Sequence, residues 1–360
     1  MADGELSVTV PERVVVRAPM PGEGGGGETD LACNVALRIA KEAGRPPREV
    51  AEVLRRRLLG TPGVAGVEIA GAGFLNVTLT GPARAEFVWS VRERGALPAP
   101  GAGGASVVLR AAPGVRAAVV VEALGRILSV EGAGEAGGRD AVEVGEAGEP
   151  RVGVICPRPV KVSCEEGFSY ATSAGIAEGS ASAPVASAPH EWHALTTRLG
   201  PDEARWVLLR PAQHDAVRLP ARPVQRESNG RFRVQYAYAR TCAMTRNAWQ
   251  LGFAAEPGDV GADDCGGWEV REIREVWSAL AEYPGVVEAA ARHRAPDRVA
   301  RHLEVTADAW LRCHEVCPPL PVGEEKPSAV HRARLALAEA AGTVLAHGLH
   351  LLGISTPERL

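Results

Sequence analysis

VQYAYAR, residues 234–240, and HGLHLLGISTPERL, residues 347–360, open and close the last third of this 360-residue chain. The second begins as the end of a long apolar-periodic helix and stops at Gly-Ile-Ser-Thr-Pro, a run that cannot continue one. Between them apolar residues recur at helical spacing. The pattern predicts helices over 236–251, 270–281, 286–293, 297–316 and 328–352, with Pro284, Pro296, Pro318, Pro321 and Pro327 at the breaks. From about residue 224 the chain therefore reads as a bundle of about five helices. Trp206, Trp249, Trp268, Trp277 and Trp310 lie in or near it and are expected in its core, as large aromatic side chains usually are.

Toward the N-terminus the pattern changes. Val8, Val10 and residues 14–16 alternate as a strand would, and the glycine run 24–27 is a loop with no strand–helix context for a phosphate. Asp30 stands where a helix N-cap belongs, ahead of an amphipathic helix carrying Leu31, Val35, Leu37, Ile39 and Ala40 and stopping near Gly44. Pro46 and Pro47 start a second helix. Strands at 64–69 and 74–79 flank a Gly-Ala-Gly turn, giving a β–α–α–β–β unit. Beyond a linker at 98–106 come a strand at 107–109, a helix at 116–130, an exposed Gly/Glu-rich stretch at 132–148, a strand at 152–155, a Ser/Ala/Gly/Pro-rich stretch at 175–189 expected to be disordered, and a helix at 203–209. The fold class expected is multidomain α+β. It comprises a small α/β N-terminal domain (1–97), a shrunken α/β middle with a disordered insert (98–223) and an all-α bundle (224–360).

Composition narrows the function classes. The chain is 46% hydrophobic, enough for real cores, but only 4% aromatic, with 41 Gly and 27 Pro. It has no run of 18 apolar residues and no N-terminal secretory pattern, so the reading expects no membrane partner and a cytoplasmic protein. Seven cysteines without framework spacing point to free thiols in a reducing compartment. The net charge of −4 argues against a broadly basic nucleic-acid protein, and residues 231–360 carry 15 basic against 17 acidic side chains. A local patch with stacking suffices for RNA, so that class stays open.

The two opening stretches resemble the anticodon-binding helical domain of class I arginyl-tRNA synthetases, whose halves read VQYAHAR and LLGIxxPERM. The N-terminal unit resembles the additional domain of the same family through DLACNVALRIAK (30–41), PREVA (47–51) and VEIAGAGFLNV (67–77). That likeness implies contact with the elbow of a tRNA at the positions of Phe74 and Asn76. It also implies anticodon contact at Tyr236 and Arg240, with Arg359 and Leu360 of the tail beside the anticodon loop. A tyrosine and an arginine plane suit that task, because splayed bases are read by stacking and by edge hydrogen bonds. Other roles for the same residues are a core Tyr236, an intra-bundle ion pair for Arg240, a core Phe74 and a turn-bonding Asn76.

The family also implies adenylate chemistry, and here the motifs depart. Residues 116–128 resemble the helix after the His-x-Gly-His motif, yet residues 110–115 hold no histidine and none precedes His190. PVKVSCEEG (159–167) resembles PVKMSKRxG, with Lys161 and Ser163 kept but Cys164 in place of the second lysine and Glu165 and Glu166 after it. Two carboxylates where pyrophosphate would sit invert the required field. About 120 residues separate linker from bundle, roughly half of a full catalytic core. The expectation is a non-catalytic relative with no cofactor that binds tRNA, tRNA(Arg) first. The alternatives are arginine–tRNA ligase or arginyl-transfer activity through a rearranged site, and a protein partner of a genuine synthetase or of itself. No DNA partner is expected.

Remaining motifs have blander readings. GAGEAG (132–137) spells GxGxxG without the preceding strand and reads as loop. Cys313 and Cys317 read as buried or half-buried free thiols, with no metal site expected because two further ligands are lacking. His347 and His350 read as surface or cap histidines.

Overall fold

The computed structural model describes residues 29–96, 107–112, 114–130, 151–155, 187–222, 225–261 and 267–360, with a few positions before residue 18. The described fold is mostly helical, with two small sheets. In the first, β1 (Val16–Arg17), β2 (Leu31–Cys33), β3 (Val64–Ala70) and β4 (Phe74–Leu79) stand in the order β1-β2-β4-β3, all antiparallel. Helices α1 (Val35–Ala43) and α2 (Pro47–Leu59) cover one face. Ala36, Ile39, Val50, Val53 and Leu54 pack there on Val67, Leu75 and Val77 as a separate small core. Gly44, at φ 61, closes α1 where a left-handed residue was expected.

Two expectations fail in this unit. Leu31, Ala32 and Cys33 are strand, not the first turn of a helix, and α1 starts four residues after Leu31, at Val35, behind Asn34. Asp30 is no N-cap. It is 4% exposed, and its Oδ2 accepts hydrogen bonds from the Leu79 N–H at 2.7 Å and from Arg84 Nε and Nη2 at 3.1 and 2.9 Å. A buried carboxylate needs such a partner, and Arg84 supplies it from α3 (Gly81–Arg94). Helix α3 was not foreseen. Its apolar residues are not confined to one stripe, but Thr80 capping the Ala83 N–H and Pro82 in the first turn are a legible start signal.

Although α3 lies before residue 97, its buried Ala85, Val88 and Val91 belong to the large helical core. That core also takes α4 (Val115–Val130), α5 (Ser187–Leu199), α6 (Pro201–Leu209), α7 (Gly230–Gln250), α8 (Arg271–His293), α9 (Asp297–Val316) and α10 (Ala329–Leu351). In the middle, β5 (Val107–Ala111) and β6 (Arg151–Ile155) pair in parallel, with α4 between them in sequence. The stretch 132–148 lies outside the described residues, as does 175–189 except for its last three residues, which open α5.

Helix α10 sits at the centre, against α3, α7, α8 and α9. Its small residues permit that: a Cβ on Gly348 would lie 2.5 Å from Leu303 Cδ2 of α9. Ser328 and His331 cap it reciprocally. Helix α8 corrects a further expectation, since Pro284 does not end it. Leu280 and Tyr283 before the proline and Val287 and Ala290 after it are all buried at helical spacing. Packing on both sides outweighs the one hydrogen bond the proline forfeits. No described helix is long and apolar enough to cross a membrane.

Candidate nucleic-acid interface

The two motifs at the ends of the last third meet in space. Gln235, 1% exposed on α7, donates through Nε2 to the carbonyl oxygen of Ser355 at 3.0 Å and to Asp202 Oδ2 at 3.0 Å. Ser355 donates its own N–H to Asp202 Oδ1 at 3.1 Å and its hydroxyl to Oδ2. One carboxylate in the first turn of α6 thus joins VQY to GIS. The next residue, the buried Glu203, holds Asn229 and Arg231 at the start of α7. Gly353 makes the closing turn possible. Its φ is 70, and a Cβ there would lie 2.6 Å from Arg126 Nη1 and 3.1 Å from Arg205 Nε.

From this junction the tail runs along α7. Gln235, Tyr238, Cys242, Arg246 and Trp249 are spaced three and four apart and so share one stripe of the helix. Ser355 lies on Gln235. Glu358 lies on Arg246, with its carboxylate 3.8 Å from Nη1 and its carbonyl 3.4 Å from Nη2. Tyr238 between them has its pKa pushed up to about 12, by burial first and then by Cys242 and the charge of Glu358.

Tyr236 is 39% exposed and stacks on Phe232, with centroids 6.1 Å apart and planes at 21°, so it is a surface aromatic and not core. Arg240 is half-buried and engaged within the bundle. Nδ1 of His314 lies 2.9 Å from the Leu311 carbonyl, which can only accept, so Nδ1 carries the proton and Nε2 accepts from Arg240 Nη2 at 2.8 Å. Arg359 and Leu360 are exposed. Trp206, Trp268, Trp277 and Trp310 are buried as expected, but Trp249 is 80% exposed, a correction. It falls in the last turn of α7, where the stripe has already left the core.

In the N-terminal unit the β4 side chains alternate. Leu75 and Val77 enter the small core, while Phe74 and Asn76 lie on the other face, Phe74 half-buried and Asn76 1% exposed. The neighbouring α1–α2 segment carries seven basic and three acidic residues over 35–59, with Lys41, Arg45, Arg48 and Arg56 exposed. Lys41 and Arg45 line a surface pocket of about 430 Å³ at the α1–α2 turn.

The β5–α4 turn is the place where an imidazole motif would stand. It holds no histidine; instead the Val115 N–H, in the first turn of α4, donates to Glu191 Oε2 at 3.2 Å. The next residue, Arg116, is 2% exposed and points into protein. Its guanidinium donates to five carbonyl oxygens, those of Leu208, Pro211, Ala212, Gln213 and Asp215, at 2.8–3.2 Å. Lys161, Ser163 and Cys164 lie outside the described residues.

Elsewhere, Cys313 and Cys317 are both buried, and burial pushes the Cys313 thiol up to about 12. His350 is exposed, whereas His347 is half-buried and its Nδ1 lies 2.7 Å from the Tyr283 hydroxyl. Gln235, Asp202, Ser355, Glu191 and Arg116 were not singled out from sequence. Gln235 and Ser355 stand inside the quoted motifs, so the signal was present; the other three are defined only by what the fold brings to them.

A helical bundle whose two end motifs are locked together, preceded by a small antiparallel sheet under two helices, defines a class. The family model for the DALR anticodon binding domain matches residues 234–360, and that for the arginyl tRNA synthetase N terminal domain matches residues 24–79. An arginine–tRNA ligase of Frankia alni is 28% identical over 544 residues, covering 100% of this chain and 97% of the relative. That aligned span is half as long again as this chain's 360 residues, so the excess consists of positions this chain lacks. An arginine–tRNA ligase of Pseudarthrobacter chlorophenolicus is 39% identical over 164 residues, 45% of this chain but 30% of the relative. The arginyl-tRNA synthetase of Thermus thermophilus shares the fold, with a TM-score of 0.55 at 14% identity over 98% of this chain and 97% of that one. The chain is related to the arginyl-tRNA synthetases, through an anticodon-binding-domain match over residues 234–360 and an N-terminal-domain match over residues 24–79.

Proposed function

We propose that this protein binds tRNA, tRNA(Arg) first, through its N-terminal unit and its C-terminal bundle, in the cytoplasm and without forming an aminoacyl-adenylate. The observation that carries the non-catalytic part is the β5–α4 turn. A helix N-terminus attracts phosphate through its free N–H groups. Here the first turn of α4 faces the Glu191 carboxylate, and residues 110–115 supply no imidazole. A negative group at that position opposes a triphosphate, and nothing in the turn can stabilise a pentavalent phosphorus. Cys164, Glu165 and Glu166 in the second motif point the same way.

For the RNA, the exposed cations of α1 and α2 supply phosphate contacts, while Tyr236 and the tail residues Arg359 and Leu360 offer stacking and edge contacts. Asn76, being buried, is not available to a base. Arg240 positions α7 against α9 through His314. The slight acidic excess over 231–360 favours a second reading, in which the bundle pairs with a genuine synthetase or with itself.

An ATP–pyrophosphate exchange assay with arginine and tRNA(Arg) tests the non-catalytic part. Background signal is expected, and exchange above background would restore the ligase reading. A gel shift with tRNA(Arg) at physiological salt tests binding, because affinity quoted at low salt would count only non-specific phosphate contacts.

A further inference from the structure

We infer that Trp249 is a nucleobase-stacking residue, and that Trp249 together with the tail residues Arg359 and Leu360 forms a site for one unpaired base at the far end of α7. The inference rests on the tRNA-binding reading and names a residue and a place within it.

Trp249 is 80% exposed, and Leu251, two residues on, is 53% exposed. Of the seven tryptophans, four are buried, and Trp89 and Trp192 are half-buried with the guanidinium groups of Arg92 and Arg205 over their rings. Trp249 alone leaves most of its ring to solvent. The backbone beneath it is fixed. Gly252 takes φ 78, the Gly252 N–H donates to the Trp249 carbonyl, and the Phe253 N–H donates to the Ala248 carbonyl, each at 3.0 Å. Phe253 is then buried, so the helix end is anchored in the core. A ring held on such a terminus loses little freedom when a ligand stacks on it.

The tail is led to the same place. It crosses Gln235 at Ser355 and Arg246 at Glu358, and Trp249 is the next residue of that stripe, about 4.5 Å further along the axis. Arg359 and Leu360, both exposed, are the next residues of the chain after Glu358, within reach of that end of the helix, and Leu360 is 56% exposed. Arg246, one turn earlier on the same stripe, is the polar side chain that helical spacing sets beside Trp249. An exposed aromatic face with a guanidinium one turn away on the same stripe suits a base, which needs one stacking surface and polar groups at its edge. A stable protein interface needs about 800 Å² on each partner. One indole and two leucine tips among polar residues do not approach that area, so a base fits better than a second protein surface. Tyr236 lies 13 residues earlier, about 20 Å along the helix and off this stripe, with its ring already stacked on Phe232.

The test uses the full chain, a tRNA(Arg) transcript and an isolated anticodon stem-loop of the same sequence, with Trp249→Ala and Trp249→Phe. At such an exposed position neither substitution disturbs the core. Both RNAs are expected to quench tryptophan emission of the wild type. Trp249→Ala should lose that quench and weaken binding about tenfold, with Trp249→Phe between the two. If the wild type binds RNA and Trp249→Ala binds equally well, the inference fails and the tRNA reading stands. If the wild type binds neither RNA, the reading itself fails. Concentration-dependent burial of Trp249 without RNA, abolished in Trp249→Ala, would assign the patch to self-association and overturn the inference.

Discussion

Two junctions in this molecule have opposite fates. At the junction in the last third, Gln235, Asp202 and Ser355 join the motifs that open and close the domain, each polar group meeting another. At the β5–α4 junction a carboxylate meets the helix start and a cation meets only backbone: Glu191 faces the first turn, and Arg116 is buried among backbone carbonyls. The comparison teaches that a helix is held in place by what its own side chains bind, whatever the segment before it supplies. Arg116 closes the 208–215 turn that leads on to the bundle, so α4 is tied to the rest of the fold by its own side chain.

The largest effect should come from breaking the second junction. Arg116→Met removes a buried guanidinium that donates to five carbonyl oxygens, and about 3–5 kcal/mol of stability should go with it. Urea unfolding of the full chain reads this, and a loss under 1 kcal/mol would mean that water replaces the guanidinium.

Next comes a pH effect inside the bundle. His302, 7% exposed, donates from Nε2 to the Ala279 carbonyl at 2.9 Å, and burial lowers its pKa from 6.5 to about 4. The unfolded chain therefore binds a proton below pH 6.5 that the folded chain refuses until about pH 4. Stability is full above 6.5 and falls as the pH drops through that window, by about 3 kcal/mol in all. His347, lowered in the same direction by burial, adds to the slope. Thermal melts between pH 7.5 and 4.5 should show the loss, and His302→Gln should flatten it.

A smaller effect is expected at the first junction. Gln235→Ala leaves the Asp202 carboxylate and the Ser355 carbonyl short of a donor, a cost of about 1–3 kcal/mol. It should also free the tail, so limited proteolysis should cleave after Arg359 sooner than in the wild type. The smallest is Glu191→Gln, which removes a charge from the α4 terminus and should cost about 0.3–1 kcal/mol. ATP–pyrophosphate exchange should stay at background in that variant, because relieving repulsion does not supply an imidazole; activity there would show that charge alone had silenced the turn.

Much of the fold was legible where local signals and tertiary packing agree. Pro47 and Gly60 bracket α2, Asp297 puts a carboxylate in the first turn of α9, and Ser328 caps α10 as capping chemistry says it should. Misreadings occurred where packing overrules local preference. Leu31 to Cys33 looked like a helix start because Asp30 is a good cap, yet that carboxylate was needed by Arg84, 54 residues away. Pro284 looked like a break because its missing hydrogen bond is visible in the sequence, while the buried Tyr283 and Val287 that hold α8 together are not. Of the site, the motifs announced Tyr236 and the tail. They could not announce that Trp249, read as core, faces solvent, because a helix stripe looks the same in sequence after it has passed the last helix that covers it.

The most direct test of the account is equilibrium binding of a labelled tRNA(Arg) transcript to the full chain at physiological salt, with an unrelated tRNA as competitor. The account predicts that tRNA(Arg) binds at least about tenfold more tightly than the competitor, a preference that base contacts can supply and phosphate contacts cannot. Equal affinity for the two would contradict it.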